Sequence, residues 1–217
     1  MGTITRSFAN NLTTNGILKA DAFNNASLNN VTALNAAIAT GNMILLSSQT
    51  ASDSASISFT TGIDSTYKEY QFYFIDIHPR TDSGTFSFQG STDGGSTYAT
   101  TITSTFFRSR HSENDADTGL DYRTAKDLAQ STSFQNLSEE TGNGADKSVN
   151  GTLQLFNPAS TTYVKHFIAN TNSYTAGDYS QNGFMAGYFN STSAINAVQF
   201  KMDSGNFDGT ILMYGIN

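Results

Sequence analysis

The strongest constraint on this chain is a change of hydrophobic period at Gly41. Beyond it, apolar residues recur at every second position, and turn-forming residues break the pattern at intervals. No helical spacing is sustained over the roughly 10 to 15 residues that a crossover helix needs, which rules out a parallel α/β sheet. Short strands are expected at Met43 to Leu46 and Ile57 to Phe59, with a longer one from Tyr70 to Ile77. The near-continuous apolar character of that third segment predicts a central strand buried on both faces. Phe86 and Phe88 alternate with Thr85, Ser87 and Gln89, and Asp93, Gly94 and Gly95 form a turn before Tyr98, Ile102 and Phe106. That pattern predicts a hairpin. Further strands are expected at Leu153 to Phe156, Tyr163 to Ala169, Phe184 to Phe189, Val198 to Met202 and Ile211 to Ile216, the last two paired as a closing hairpin. About nine strands without crossover helices give an all-β fold, an antiparallel β-sandwich that is jelly-roll-like in kind.

The side chains suit that fold. Aromatic residues make up 12% of the 217-residue chain, with 16 Phe and 10 Tyr, so the core is built from large rings. Charged residues are only 13%, and Ser, Thr, Asn and Gly fill the difference as a neutral, solvated surface. The net charge of −7 and the pI near 4.7 argue against a nucleic-acid partner. With no cysteine, neither disulfides nor thiolate chemistry contribute. No segment approaches the roughly 20 apolar residues of a membrane-spanning helix, and residues 1–20 lack the pattern of a signal peptide. A soluble protein made in a cytoplasm, without membrane insertion, is the expectation.

Two regions depart from the period-two pattern. Residues 1–43 are crowded with Asn and carry isolated apolar residues, among them Ile4, Phe8, Leu12, Leu28, Val31, Leu34 and Ile38. Such a segment cannot build a core alone. Leu28, Val31, Leu34 and Ile38 recur at helical spacing, with Ser27 as a cap and Gly41 as a stop, so a short amphipathic helix and a fibre-like shaft strand both fit, in an arm that docks on partner subunits or winds with symmetry mates. Residues 44–217 are then the body. Within the body, residues 110–150 are polar and irregular, with a weak helical pattern from Leu120 to Leu128, and predict a long exposed excursion.

Catalytic signatures are sparse. No G-x-S-x-G elbow is present, and His78, His111 and His166 lack metal-ligand spacing, so no catalytic or metal residues and no cofactor are expected. Paired carboxylates for glycan cleavage would have to come from Asp76, Glu69 or the Glu139 and Glu140 pair. Asp76 interrupts an apolar run and is expected to be buried with a hydrogen-bond donor. Arg108 and Arg110 share a strand face and suit either a carboxylate contact or an ordinary exposed strand, and the exposed strand is expected. Tyr98, Tyr122, Tyr174 and Tyr179 are candidate exposed aromatics for stacking on sugars, as against ordinary sheet or loop tyrosines.

Three stretches carry a resemblance. They are Thr3 to Asn11 with Asn24 to Thr32, Ser56 to Tyr67 with Ser91 to Tyr98, and Met202 to Ile211 closing on Tyr214, Gly215 and Ile216. In these the chain resembles small structural proteins of tailed phages that infect cyanobacteria and related aquatic bacteria. The resemblance implies a virion protein of the tail-fibre or head-surface type, with other virion proteins as partners and no catalytic residues. A tail-fibre or appendage subunit, trimeric and contacting a host-surface glycan, is the expected role. The alternatives are a capsid decoration protein and, further off, a polysaccharide depolymerase.

Overall fold

The computed structural model describes residues 43–216, and the docking residues expected between Ile4 and Ile38 lie outside that range. The described residues form twelve strands in two antiparallel sheets that pack as a β-sandwich, with no helix among them. The strands are β1 (Met43–Ser54), β2 (Ile57–Phe59), β3 (Glu69–Pro79), β4 (Phe86–Ser91), β5 (Ile102–Ser112), β6 (Thr118–Tyr122), β7 (Gln135–Asn136), β8 (Val149–Phe156), β9 (Lys165–Tyr174), β10 (Tyr179–Phe189), β11 (Ala197–Met202) and β12 (Phe207–Ile216). The larger sheet runs in the order β1-β12-β3-β8-β9-β10-β5-β6, and the smaller in the order β2-β11-β4-β7.

Alternation places every second side chain of the larger sheet between the layers. Tyr70, Phe72 and Phe74 point inward from β3, Leu153 and Leu155 from β8, Phe167 and Ala169 from β9, and Ile211 and Met213 from β12. From the smaller sheet Phe86 and Phe88 of β4 and Phe200 of β11 meet them. Phe200 is the hub, with ring centroids 6.1 Å from Phe59, 5.2 Å from Phe72, 5.3 Å from Phe74, 5.9 Å from Phe86 and 6.3 Å from Phe88. These spacings suit edge-to-face and offset contacts.

The third strand is central in hydrogen bonding but buried on one face only. Tyr73 and Ile75 lie on its outer side, and Ile75 is 41% exposed. Asp76, expected to be buried, is exposed on a bulge. Its φ is 51° and its backbone N–H donates to Asn150 Oδ1 at 2.9 Å. The neighbouring strand accommodates the bulge at Gly209, φ 128°, where a Cβ would come within 2.7 Å of the Asp76 carbonyl oxygen.

Two expected hairpins are instead crossings between sheets. The Asp93 turn connects β4 of the smaller sheet to β5 of the larger, and the Ser204–Asn206 turn connects β11 to β12 in the same sense. Short polar turns serve both purposes, and crossings of this kind are what close jelly-roll-like sandwiches.

The region expected to be an exposed excursion closes one side of the sandwich. It contributes β6 beside β5 and β7 beside β4, and the Leu120 to Leu128 segment is strand and turn, not helix. Leu137 enters the core, and Gln135, Ser138, Glu139 and Thr141 are buried. Ser138 Oγ accepts from the Phe86 N–H at 3.0 Å, and Gln89 Nε2 donates to the Thr132 and Ser133 carbonyls at 3.1 and 2.9 Å. Polar residues can be enclosed there because each has a partner.

If Phe200 joins the layers as described, Phe200→Ala and Phe74→Ala should each lower unfolding free energy by about 3–5 kcal/mol in urea titrations. A loss below about 1 kcal/mol at Phe200 would show that the sheets do not depend on it.

Candidate functional site

The outer face of the larger sheet departs from an ordinary solvated surface. Of the nine large apolar side chains exposed among the described residues, eight lie on it: Met43 and Leu45 on β1, Ile75 on β3, Phe107 on β5, Leu120 and Tyr122 on β6, Ile168 on β9 and Phe184 on β10. The ninth, Tyr163, lies before β9. Scattered exposed apolar residues are normal, and these eight span the sheet from edge to edge, with five of them gathered on the neighbouring strands β9, β10, β5 and β6.

The register explains how distant residues meet there. Phe184 stands opposite Phe107, and Phe107 opposite Tyr122, so three aromatic side chains form one row across β10, β5 and β6. The Phe107 and Phe184 rings stack with centroids 4.9 Å apart and planes 13° apart. Two residues further along β10 stands Ala186, flanked by Ile168 and Thr105. Two further again, Tyr188 lies beside His166, with ring centroids 5.8 Å apart. A row of shorter side chains thus runs between two aromatic rows. Above it opens a depression of about 470 Å3, lined chiefly by Thr103, Thr105, His166, Ile168, Ala186 and Tyr188. Beneath it Gly187 is tightly packed, since a Cβ there would lie 2.6 Å from the Thr103 carbonyl oxygen and 2.7 Å from the Phe167 ring.

The four tyrosines expected as ligand contacts are dispersed. Tyr122 belongs to the aromatic row, 51% exposed, and its hydroxyl donates to Asp127 at 2.5 Å, which raises the phenol pKa. Tyr174 and Tyr179 flank the turn between β9 and β10. A hydrogen bond to Glu113 pushes the Tyr174 phenol up to about 12, and the Lys147 ammonium lies 4.4 Å from its ring centroid. Tyr179 donates to Asp117 at 3.2 Å and lies under the Arg110 guanidinium at 5.4 Å. Tyr98 is half-buried in the connection between β4 and β5, and its enclosed hydroxyl has no partner among the described residues.

Ile168, Ala186 and Tyr188 line the depression, and Phe107 and Phe184 stand in the row beside it, without having been singled out from sequence. One signal was available: Tyr179–Phe189 carries Phe184, Ala186 and Tyr188 on one parity and Met185, Gly187 and Phe189 on the other, so neither face is conventionally polar.

Of the carboxylates considered for glycan cleavage, Glu69 and Asp76 do not assemble as a pair. Glu69 and Asp76 are seven residues apart on one strand, about 23 Å at the usual rise and well beyond catalytic separation. Glu69 accepts a 3.1 Å hydrogen bond from Gln154. Glu139 is fully buried between two guanidiniums, with Arg108 Nη1 at 3.0 Å and Arg123 Nη2 at 2.9 Å.

Arg108, expected on an exposed strand, is only 5% exposed and makes the carboxylate contact instead. It also donates to Gln181 at 2.9 Å and Asp121 at 3.2 Å. Burial opposes ionisation of Asp121, but the hydrogen bond and charge of Arg108, joined by Arg123, hold its pKa below the usual value. The hydrogen bond to Glu139 correspondingly raises the pKa of Arg123. This network fastens β5, β6 and β10 to the segment that closes the sandwich.

Two of the three histidines serve local contacts. His78 Nδ1 lies 2.7 Å from the Lys147 carbonyl oxygen, and His111 Nε2 lies 3.0 Å from Asp115 Oδ1. Among the described residues, no three His, Asp or Glu side chains are grouped to hold a metal ion. No helix among them is long and apolar enough to cross a membrane.

No protein-family model matches the chain, and neither the curated proteins nor the solved structures contain a significant match.

Glu139→Ala should cost about 3–5 kcal/mol in chemical denaturation, because it strands two guanidiniums. Arg108→Met combined with Glu139→Leu should recover most of that loss. Equal destabilisation by the single and double variants would show that the ion pair itself is not the source.

Acid sensitivity should reside partly in the Asp93 turn. Asp93 accepts from Ser91 Oγ at 2.6 Å, the Thr97 N–H at 2.9 Å and Thr97 Oγ1 at 2.7 Å, and its pKa falls to about 2, led by the Ser91 hydrogen bond. A depressed pKa contributes stability that is present above the ordinary carboxylate value and lost as pH falls through the folded one. Asp93→Asn should therefore lose less stability than the parent between about pH 4 and pH 2. Parallel urea midpoints for the two proteins across that range would contradict this assignment.

Proposed function

We propose that this protein is a structural, non-catalytic subunit of a tailed-phage particle, a tail-fibre or appendage component that assembles as a trimer. In this reading residues 1–43 dock on other virion proteins, using the apolar positions from Ile4 to Ile38, and the body turns the outer face of its larger sheet away from the particle. The observation that carries the reading is the collection of eight exposed large apolar side chains on that one face of an otherwise weakly charged sandwich. The side chains with chemical potential are committed elsewhere: Glu139 and Arg108 hold the fold together, and Asp93 organises a turn. The phage assignment draws its support from the resemblance in the arm, in Ser56 to Tyr67 with Ser91 to Tyr98, and in the ending from Met202 to Ile216.

A symmetry-resolved reconstruction of the intact particle tests this directly. Density for the chain on a tail fibre or appendage is the expected result. Density on the shell would make it a decoration protein, and a particle that lacks the chain would overturn the proposal. Deleting residues 1–40 should abolish incorporation while leaving a cooperatively unfolding body, and normal incorporation of the truncated chain would remove the docking role of the arm.

A further inference from the structure

We infer that the depression across β9, β10 and β5 is a binding site for an uncharged carbohydrate, held between the Phe107 and Phe184 pair on one side and the Tyr188 and His166 pair on the other. The inference extends the outward-facing reading above by naming what the face contacts.

Dimensions come first. Phe184 and Tyr188 are four residues apart on one strand, which sets the two aromatic rows about 13 Å apart along β10. Ala186, midway between them, leaves the gap open. The row of Ile168, Ala186 and Thr105 crosses three strands, about 10 Å from end to end, so the groove runs perpendicular to the strands. Such a trough suits a short stretch of linked sugar rings. The face of a second sandwich, being broad and pleated, would bridge the trough and leave its floor uncontacted.

Charge comes next. The chain carries a net charge of −7, yet no Asp, Glu, Lys or Arg lines the depression. A polyanion would find no cation there and a basic partner no carboxylate. The matching ligand is neutral.

The chemistry of the walls completes the match. Sugar rings present C–H faces that pack on aromatic rings and hydroxyl rims that need hydrogen bonds. The aromatic rows supply the first. The Tyr188 hydroxyl and the His166 ring nitrogens, which have no hydrogen-bond partner among the described residues, supply donors and acceptors at one rim; Thr103 Oγ1 accepts from Gln130 Nε2 at 2.7 Å and keeps its O–H to donate, and Thr105, whose O–H donates to the Ala186 carbonyl at 3.3 Å, can still accept. The stacking of Phe107 on Phe184 and the close packing beneath Gly187 hold the site in shape before a ligand arrives.

The full-length chain should be applied to an array of immobilised glycans carrying neutral, sialylated, sulfated and uronic-acid structures, followed by isothermal titration with the glycan retained best. Binding to a neutral glycan is expected. Phe184→Ala and Tyr188→Ala should each weaken it about two- to tenfold, the scale of losing one stacked aromatic contact. Ala186→Trp, which fills the trough from an outward-facing position, should abolish binding without shifting the thermal midpoint, and Tyr163→Ala should bind like the parent. Retention of anionic glycans alone, no retention at all, or a neutral ligand indifferent to Ala186→Trp would each overturn the inference. A chain located on the particle that binds no neutral glycan would remove the groove assignment alone. Groove-dependent binding by a chain missing from the particle would remove the virion reading and leave the groove.

Discussion

The packing of Phe200 against rings from both layers is the interaction on which the rest of the structure depends. Phe200 reaches Phe72 and Phe74 of the larger sheet and has Phe86 and Phe88 as neighbours within its own. With no cysteine and few aliphatic side chains to spare, the chain relies on ring area and ring geometry to hold two sheets together. Committing the inner face of each strand to that task fixes strand register, because a slip of one residue would exchange the core for the outer face.

Register then determines what the outer face can present. Once Phe106, Met185 and Phe167 point inward, Phe107, Phe184 and Ile168 must point outward. The groove is a consequence of the same alternation that builds the core. Its floor is firm because the strands under it are interior to the sheet and paired on both sides. The far edge of this region is fastened differently, by the buried contacts of Arg108 with Glu139 and Gln181. A charged pair tolerates enclosure there because Arg123 and Asp121 complete its hydrogen bonding.

A weakly charged surface fits this division of labour. Polar contacts across the outer face come from Asn, Gln and Thr, with Asn170 donating to the Gly183 carbonyl at 3.5 Å and Thr105 to that of Ala186 at 3.3 Å. Hydroxyls and amides of this kind solvate a sheet without building a charge field.

The sequence by itself determined the class of fold, because period-two alternation and turn residues are local properties that need no knowledge of partners. It located Ile57 to Phe59 and most of the later strands, and it identified Tyr122 as an exposed ring. It could not decide pairing. The Asp93 and Ser204 turns have the chemistry of hairpins, and only the packed layers show that each carries the chain from one sheet to the other. Polarity also misled where burial is settled by distant partners: Glu139 is enclosed because Arg108 stands 31 positions away in sequence, and Asp76 is exposed because a bulge opposite Gly209 turns it out. The groove was hidden for the same reason. Its rings come from three strands, one of them apolar on both parities, and a trough between two aromatic rows exists only once the register has set those strands side by side.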